Sequence, residues 1–229
     1  MSCSPQPRSQ CGFTQVELVF VIVAVLLLGC LAVLFVDHQR TTQETRKRIS
    51  CQGNSKLNAL TFRVFANDHD DRFPFQATGS LGFSNSTWAW EHFQAMSNEL
   101  GTANTLICAA DRERLNNITS DLGMGPRSLS SQGNAALSYF VGLDATESDP
   151  NAILLGDRNL VTNSGNLQGK VLTASLAHLP AWDDRQHNRC GNATLADGSV
   201  QRMTNPMLAK HVSDTAAAVT NRLLLPLLP

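Results

Sequence analysis

Residues 12–36 read GFTQVELVFVIVAVLLLGCLAVLFV, from Gly12 to Val36: a glycine, a short polar approach, one carboxylate at Glu17, and then hydrocarbon. The nineteen residues 18–36 carry no charge, close to the roughly 20 that cross a bilayer core as a helix. A membrane-inserted helix over 13–36 is therefore the first expectation, and the rest of the chain is read outward from it. An ionised carboxylate at the edge of hydrocarbon costs roughly 2.5–3.5 kcal/mol on insertion scales and usually has a partner. Glu17 is expected to have such a partner; the alternative is a headgroup-level position where water reaches it.

Two other readings of the segment compete. A secretory signal peptide has an apolar core of roughly 7–15 residues that ends at small residues; this run is longer and lacks that ending. Leu27-Leu28-Gly29-Cys30 looks like a lipoprotein box in which Cys30 would be acylated, yet residues 31–36 carry the hydrocarbon straight past it. Gly29 and Cys30 read better as small residues on a helix–helix face. Arg40, Arg46, Lys47 and Arg48 follow the span and Arg8 precedes it. Charge alone favours a cytoplasmic C-terminal side, whereas long domains translocate largely regardless of charge.

No proline lies between Asp37 and Asn67, so the helix is expected to continue through 37–66 as an amphipathic extension, with Gly53-Asn54 as its soft spot. Ile49, Leu57, Leu60 and Val64 fall near one face and are expected to pack on a globular domain. A helix from Phe13 to about Phe65 would be roughly 80 Å long. Asn67-Asp68-His69-Asp70-Asp71-Arg72-Phe73-Pro74 ends it. Clustered carboxylates invite a calcium reading, but neither an EF-hand glycine nor a closing glutamate follows. A solvated turn is the simpler expectation, with no cofactor and calcium as the remaining option.

Residues 67–229 read as one globular α+β domain. Trp88, Trp90 and Phe93 suit a short helix through Leu100, and Leu106-Ile107-Cys108 suits a buried strand. Residues 138–143 and 152–157 are apolar runs bounded by turn formers, expected to pair as antiparallel neighbours. Residues 193–203 form a hairpin signal in which Asp197-Gly198 is expected to supply a type I′ turn. Asn205-Pro206 opens a last helix, Asn as N-cap and Pro at the first position. Its stripe runs through Met207, Leu208, His211, Val212, Ala216, Val219 and Leu223. The apolar tail 223–229 would dock on the core or meet a partner.

Eighteen basic and nineteen acidic residues leave a net charge of -1, with no positive field for nucleic acid. Six cysteines occur, at 3, 11, 30, 51, 108 and 190, and only the last three lie beyond the leader and membrane segment. Cys51 and Cys108 are candidates for a bridge in an oxidising compartment; the odd count leaves one over, and buried thiols are the alternative. No metal site is expected. His187, Asp157 and Asp197, with Ser199 as the only tempting hydroxyl, could be arranged as a hydrolytic triad. The simpler reading is structural, with His187 packed beside the hairpin and Asp197 serving its turn. No nucleophile elbow, zinc-protease or phosphate-loop motif accompanies them, so a non-enzymatic protein is expected.

The segment Gly12-Phe13-Thr14-Gln15-Val16-Glu17-Leu18 resembles the N-terminal signature of type IV pilins and type II secretion pseudopilins, a glycine followed by Phe-Thr-Leu-Ile-Glu-Leu. Cys11 stands where leaders of that family carry Lys or Arg, and Gln15 where they carry leucine. The resemblance implies a pilin-like α+β fold, a long N-terminal helix packed on a small antiparallel sheet. It also implies a leader over 1–12, cleavage between Gly12 and Phe13 by a prepilin peptidase, and methylation of the new Phe13 amino group. By the same resemblance Glu17 would meet the amino terminus of a neighbouring subunit and set register, since unlike charges attract strongly in a low dielectric. The implied life history is a single-pass inner-membrane protein with a periplasmic C-terminal domain. It then enters a pilus or secretion pseudopilus, with other pilin subunits and an inner-membrane assembly platform as partners. A membrane- or lipid-anchored periplasmic binding domain that never polymerises is the alternative.

A second resemblance lies late in the chain. His187, nine residues, then Asp197-Gly198 is similar to the H-x9-D-G pattern of prepilin-like proteins from planctomycetes and verrucomicrobia. Residues 138–142, Gly156-Asp157-Arg158-Asn159 and Gly191-Asn192 also look like that group.

Overall fold

The computed structural model describes residues 14–77, 86–123, 125–162, 171–215 and 221–227. The chain divides into two compact units, residues 1–45 and 46–229. One helix, α1 (Gln15–Asp68), begins in the first and ends in the second. In the first unit every described residue from Thr14 to Thr41 is exposed, and α1 there is long and apolar enough to cross a bilayer.

Within the second unit α1 runs unbroken through Gly53 and stops at Asp68. Asp70 and Asp71 take left-handed backbone, both at φ 56°, a conformation that Asp visits more readily than most side chains. The amides of His69 and Asp71 both donate to the carbonyl of Ala66, and Arg72 to that of His69, so the acid-rich run is a helix-terminating turn.

The buried face of α1 is the opposite of the expected one. Ile49, Leu57, Leu60 and Val64 are 43–63% exposed, whereas Cys51, Ser55, Asn58, Ala59, Phe62, Phe65 and Ala66 are buried. The asparagines on that side of the helix are held by specific bonds rather than by hydrocarbon. Asn58 Nδ2 donates to the Thr105 carbonyl at 3.1 Å, Thr105 Oγ1 donates to Asn58 Oδ1 at 2.8 Å, and Asn54 Nδ2 donates to the Ile107 carbonyl at 3.0 Å. A buried amide so satisfied loses little. Phe62 anchors the apolar part, packing on Phe73, Phe75 and Phe93 with centroids 5.4–6.3 Å apart.

The segment after α1 folds as short pieces. The expected single helix through Leu100 is two, α2 (Ala89–Ala95) and α3 (Ser97–Leu100), broken at Met96. Leu106-Ile107-Cys108 is not a strand. Ala103–Leu106 form a 3-10 turn, because the carbonyls of Thr105 and Ile107 are taken by asparagines from α1 rather than by a sheet partner. A further turn of helix, α4 (Leu129–Gln132), is capped by the Ser128 hydroxyl, which accepts from the Ser131 amide.

Among the described residues eight strands follow: β1 (Tyr139–Gly142), β2 (Ile153–Asp157), β3 (Leu160–Thr162), β4 (Val171–Thr173), β5 (Pro180–Trp182), β6 (Cys190–Leu195), β7 (Val200–Thr204) and β8 (Arg222–Leu224). Six form one antiparallel sheet in the order β4-β8-β1-β2-β6-β7, and β3 pairs with β5 separately. β1 and β2 are neighbours, as expected, with Phe140 opposite Gly156. Both faces of the sheet are covered. Tyr139, Val141 and Leu154 join the aromatic cluster around Phe62. Phe140, Ile153 and Trp182 join a second cluster with Leu208 and Val212 of the last helix, α5 (Asn205–Thr215). Fully buried strands read as continuous apolar runs for this reason.

Three late expectations change. The β6–β7 turn is not type I′: only Gly198 has positive φ, 79°. The Gly198 amide donates to the Leu195 carbonyl and the Leu195 amide to that of Ser199, the pattern of a type I turn closed by a glycine bulge. Asn205 does open α5, but its side chain accepts from the Trp182 amide and donates to the Trp182 carbonyl, holding β5 instead of capping the helix. Leu223 belongs to β8 rather than to α5, and the apolar tail supplies an interior strand between β1 and β4. Ala216 and Val219 lie outside the described residues.

Candidate functional site

Two places carry chemistry, one in each unit. In the first unit, Thr14 and Glu17 form a reciprocal cap at the start of α1. The Thr14 amide and hydroxyl each donate to Glu17 Oε2 at 2.9 Å, and the Glu17 amide donates to Thr14 Oγ1 at 3.3 Å. This is a capping box, which satisfies amides at a helix start that have no intrahelical partner. Thr-x-x-Glu ahead of an apolar run is its sequence signal, and it gives Glu17 a partner within its own chain. Both donors land on Oε2, leaving Oε1 unbonded among the described residues. Gly12 and Phe13, the expected cleavage and methylation site, lie outside the described residues. Cys30 sits exposed in the uninterrupted helix.

In the second unit, the segments picked out by the late resemblance converge on a buried polar cluster. Cys51 of α1 and Cys108 are joined as a disulfide, with Cα atoms 4.8 Å apart. His187, 4% exposed, places Nε2 3.4 Å from Cys108 Sγ and 3.5 Å from Asp157 Oδ2. Asp157, at the end of β2, is fully buried; its Oδ2 accepts from the Asn192 amide at 2.7 Å and the Asn192 side chain at 3.1 Å. Its Oδ1 has no hydrogen-bond partner among the described residues. Burial outweighs the Asn192 bonds and pushes the Asp157 carboxyl up to about 7.

A ring of charge-assisted bonds supports this centre. Arg158 grips Asp111 with two bonds, Nε to Oδ2 at 2.7 Å and Nη2 to Oδ1 at 2.8 Å, and Nη2 reaches Glu113 at 2.5 Å. The Asp111 carboxylate also accepts from Ser138 at 2.8 Å and from Gln186, the neighbour of His187, at 2.9 Å. Trp182 Nε1 donates to the Asp157 carbonyl at 3.1 Å. The same indole explains Gly191, where an added Cβ would lie 2.1 Å from a Trp182 ring carbon.

Asp197 and Gly198 act elsewhere. The exposed Asp197 accepts from the Ser199 amide on its own turn. The carbonyls of Asp197 and Gly198 accept from Arg63 at 3.0 Å and Lys56 at 2.6 Å, tying the hairpin to α1. The Ser199–His187–Asp157 triad considered from sequence is thus divided, with Ser199 at the turn and His187 against the disulfide. What reasoning from sequence missed is that the imidazole faces sulfur.

No family model, no curated protein and no solved structure matches this chain.

Proposed function

We propose that this protein is a pilin-like or pseudopilin structural subunit. A prepilin peptidase cleaves it between Gly12 and Phe13 and methylates Phe13, and it is held in the inner membrane with residues 46–229 in the periplasm. It is then stacked by an inner-membrane assembly platform into a type IV pilus or a type II secretion pseudopilus with other subunits. The observation that carries this reading is the exposure of α1. Residues 18–36 present hydrocarbon on every side, while the globular unit closes its own core without them. A single helix in lipid gains nothing further from water, but copies of it pack through van der Waals contact and small residues such as Gly29 and Cys30. The exposed stripe Ile49, Leu57, Leu60 and Val64 supports the same reading, since a helix already buried on one face keeps a second apolar face for contact with neighbours. Glu17 Oε1, to which no described residue donates, is the atom that would meet a neighbour's amino terminus.

Glu17→Val tests it. Processing of the leader is expected to continue, and incorporation into filaments to stop, because the register-setting charge is gone. Mutant subunits present in sheared filaments at wild-type levels would count against the role.

A further inference from the structure

We infer that Cys51, Cys108, His187 and Asp157 form a two-state centre, a disulfide when oxidised and a tetrahedral zinc(II) site when reduced. The disulfide sulfurs and the imidazole nitrogen of the first three already lie within 4.8 Å of one another, all buried. Zinc bonds to thiolate at about 2.3 Å and to imidazole or carboxylate at about 2.0–2.2 Å, so tetrahedral ligands stand roughly 3.3–3.8 Å apart. His187 Nε2 meets that spacing twice, at 3.4 Å from Cys108 Sγ and 3.5 Å from the Asp157 carboxylate. Asp157 is not among the three residues whose donor atoms already lie together, but its Oδ2 is the atom 3.5 Å from His187 and its Oδ1 is a buried oxygen with no partner among the described residues, so it is the side chain that would close the site as the bridge opens.

The four ligands come from separate parts of the fold: α1, the segment after the 3-10 turn, the end of β2, and the approach to β6. The supporting bonds are those expected of a metal site. Asn192 holds the carboxylate, and Gln186 ties the histidine's neighbour to Asp111. Sequence alone gives no zinc motif, because the cysteines are 57 residues apart. The inference goes beyond the filament reading and does not depend on it.

The chemistry balances in two steps. A dithiol or phosphine reductant delivers two electrons to the Cys51–Cys108 bond; two protons from solvent complete the thiols, and the reductant leaves as its disulfide or phosphine oxide. Zinc(II) then displaces the two thiol protons and takes the Nε2 lone pair of His187 in the tautomer that carries its ring proton on Nδ1. The Asp157 carboxyl releases its proton as it binds. A small-molecule disulfide that takes the two electrons and, with two protons from solvent, leaves as two thiols closes the Cys51–Cys108 bond again and releases zinc(II), since a disulfide sulfur is a far poorer ligand than a thiolate.

The test uses the full-length chain in detergent micelles, with Cys3, Cys11, Cys30 and Cys190 replaced by serine so that only the pair remains. After anaerobic reduction, titration with cobalt(II) is expected to give one equivalent of a thiolate-to-metal charge-transfer band with tetrahedral d–d bands, both displaced by zinc(II). The oxidised chain is expected to show neither. His187→Ala is expected to weaken zinc binding by more than the roughly 10- to 100-fold that losing a supporting group costs; Asp157→Asn, which keeps the shape, is expected to weaken it about 10-fold. Should reduction unfold the chain, stoichiometric zinc is expected to restore its circular dichroism. A reduced chain that takes no cobalt, stays unfolded with zinc, or binds equally well after His187→Ala would overturn the inference.

Discussion

Replacing Asp157 by Asn removes a carboxyl whose proton affinity burial raises. In the folded chain burial holds its proton on up to about pH 7, while the unfolded chain releases it near 3.8. Between those values the folded state binds more protons than the unfolded, so the sign of the linkage makes stability fall as pH rises through the window. At about 1.4 kcal/mol per tenfold change, the full excursion is about 4 kcal/mol, complete above pH 7. Asn has nearly the same shape and keeps an oxygen for the two Asn192 donors, but it carries no charge to bury. The groups facing Asp157 are His187 at 3.5 Å and Asp111, which raises it further by like charge. Urea titrations of full-length wild type and Asp157→Asn in micelles, followed through the buried Trp182, measure the difference directly. The variant is expected to gain on wild type from pH 4 to pH 7 by up to about 4 kcal/mol and to level off above. A difference that is flat with pH, or one that favours wild type near pH 6, would mean that a protonated His187 holds Asp157 ionised, and the reasoning from burial would fail.

Other outcomes follow from the same geometry. Reducing the Cys51–Cys108 bridge in metal-free buffer releases a loop of 57 residues, expected to cost about 4 kcal/mol by chain entropy and readable as a lower urea midpoint. Phe62→Ala, which empties a site packed by three phenylalanines, is expected to cost about 3–5 kcal/mol. Leu60→Glu, two residues away on the exposed face, is expected to change stability by about 0.5 kcal/mol or less and yet to reduce incorporation into filaments. Equal destabilisation by the two substitutions would contradict the assignment of faces on α1.

Much of this architecture is legible in the chain before any coordinates. The apolar run 18–36 is legible as a helix long enough to cross a bilayer, and β1 and β2 announce themselves because strands covered on both faces are apolar throughout. The face of α1 misleads for a definite reason. Its inward side carries Cys51, Ser55, Asn58 and Thr61, of which Cys51 is held by the disulfide and Asn58 and Thr61 by bonds to the carbonyls of Thr105 and Leu57, while its outward side carries Leu57, Leu60 and Val64. Periodicity locates an apolar stripe without saying whether the chain itself or another molecule covers it. The tail docks on the core, one of the two expectations for it, but its form is not legible, because a three-residue strand among leucines and prolines has no period to detect and its place in the sheet depends on β1 and β4, both distant in sequence. The buried cluster is hidden likewise: its members span Cys51 to Asn192, and only the fold makes neighbours of a histidine, a carboxylate and a disulfide.

Intact-mass and N-terminal fragment analysis of the protein purified from its native membrane tests the central claim most directly. A chain that begins at a methylated Phe13, twelve residues short of the encoded start, is the predicted result. A chain retaining Met1, or one that begins at an acylated Cys30, would contradict the account of a trimmed, self-associating helix.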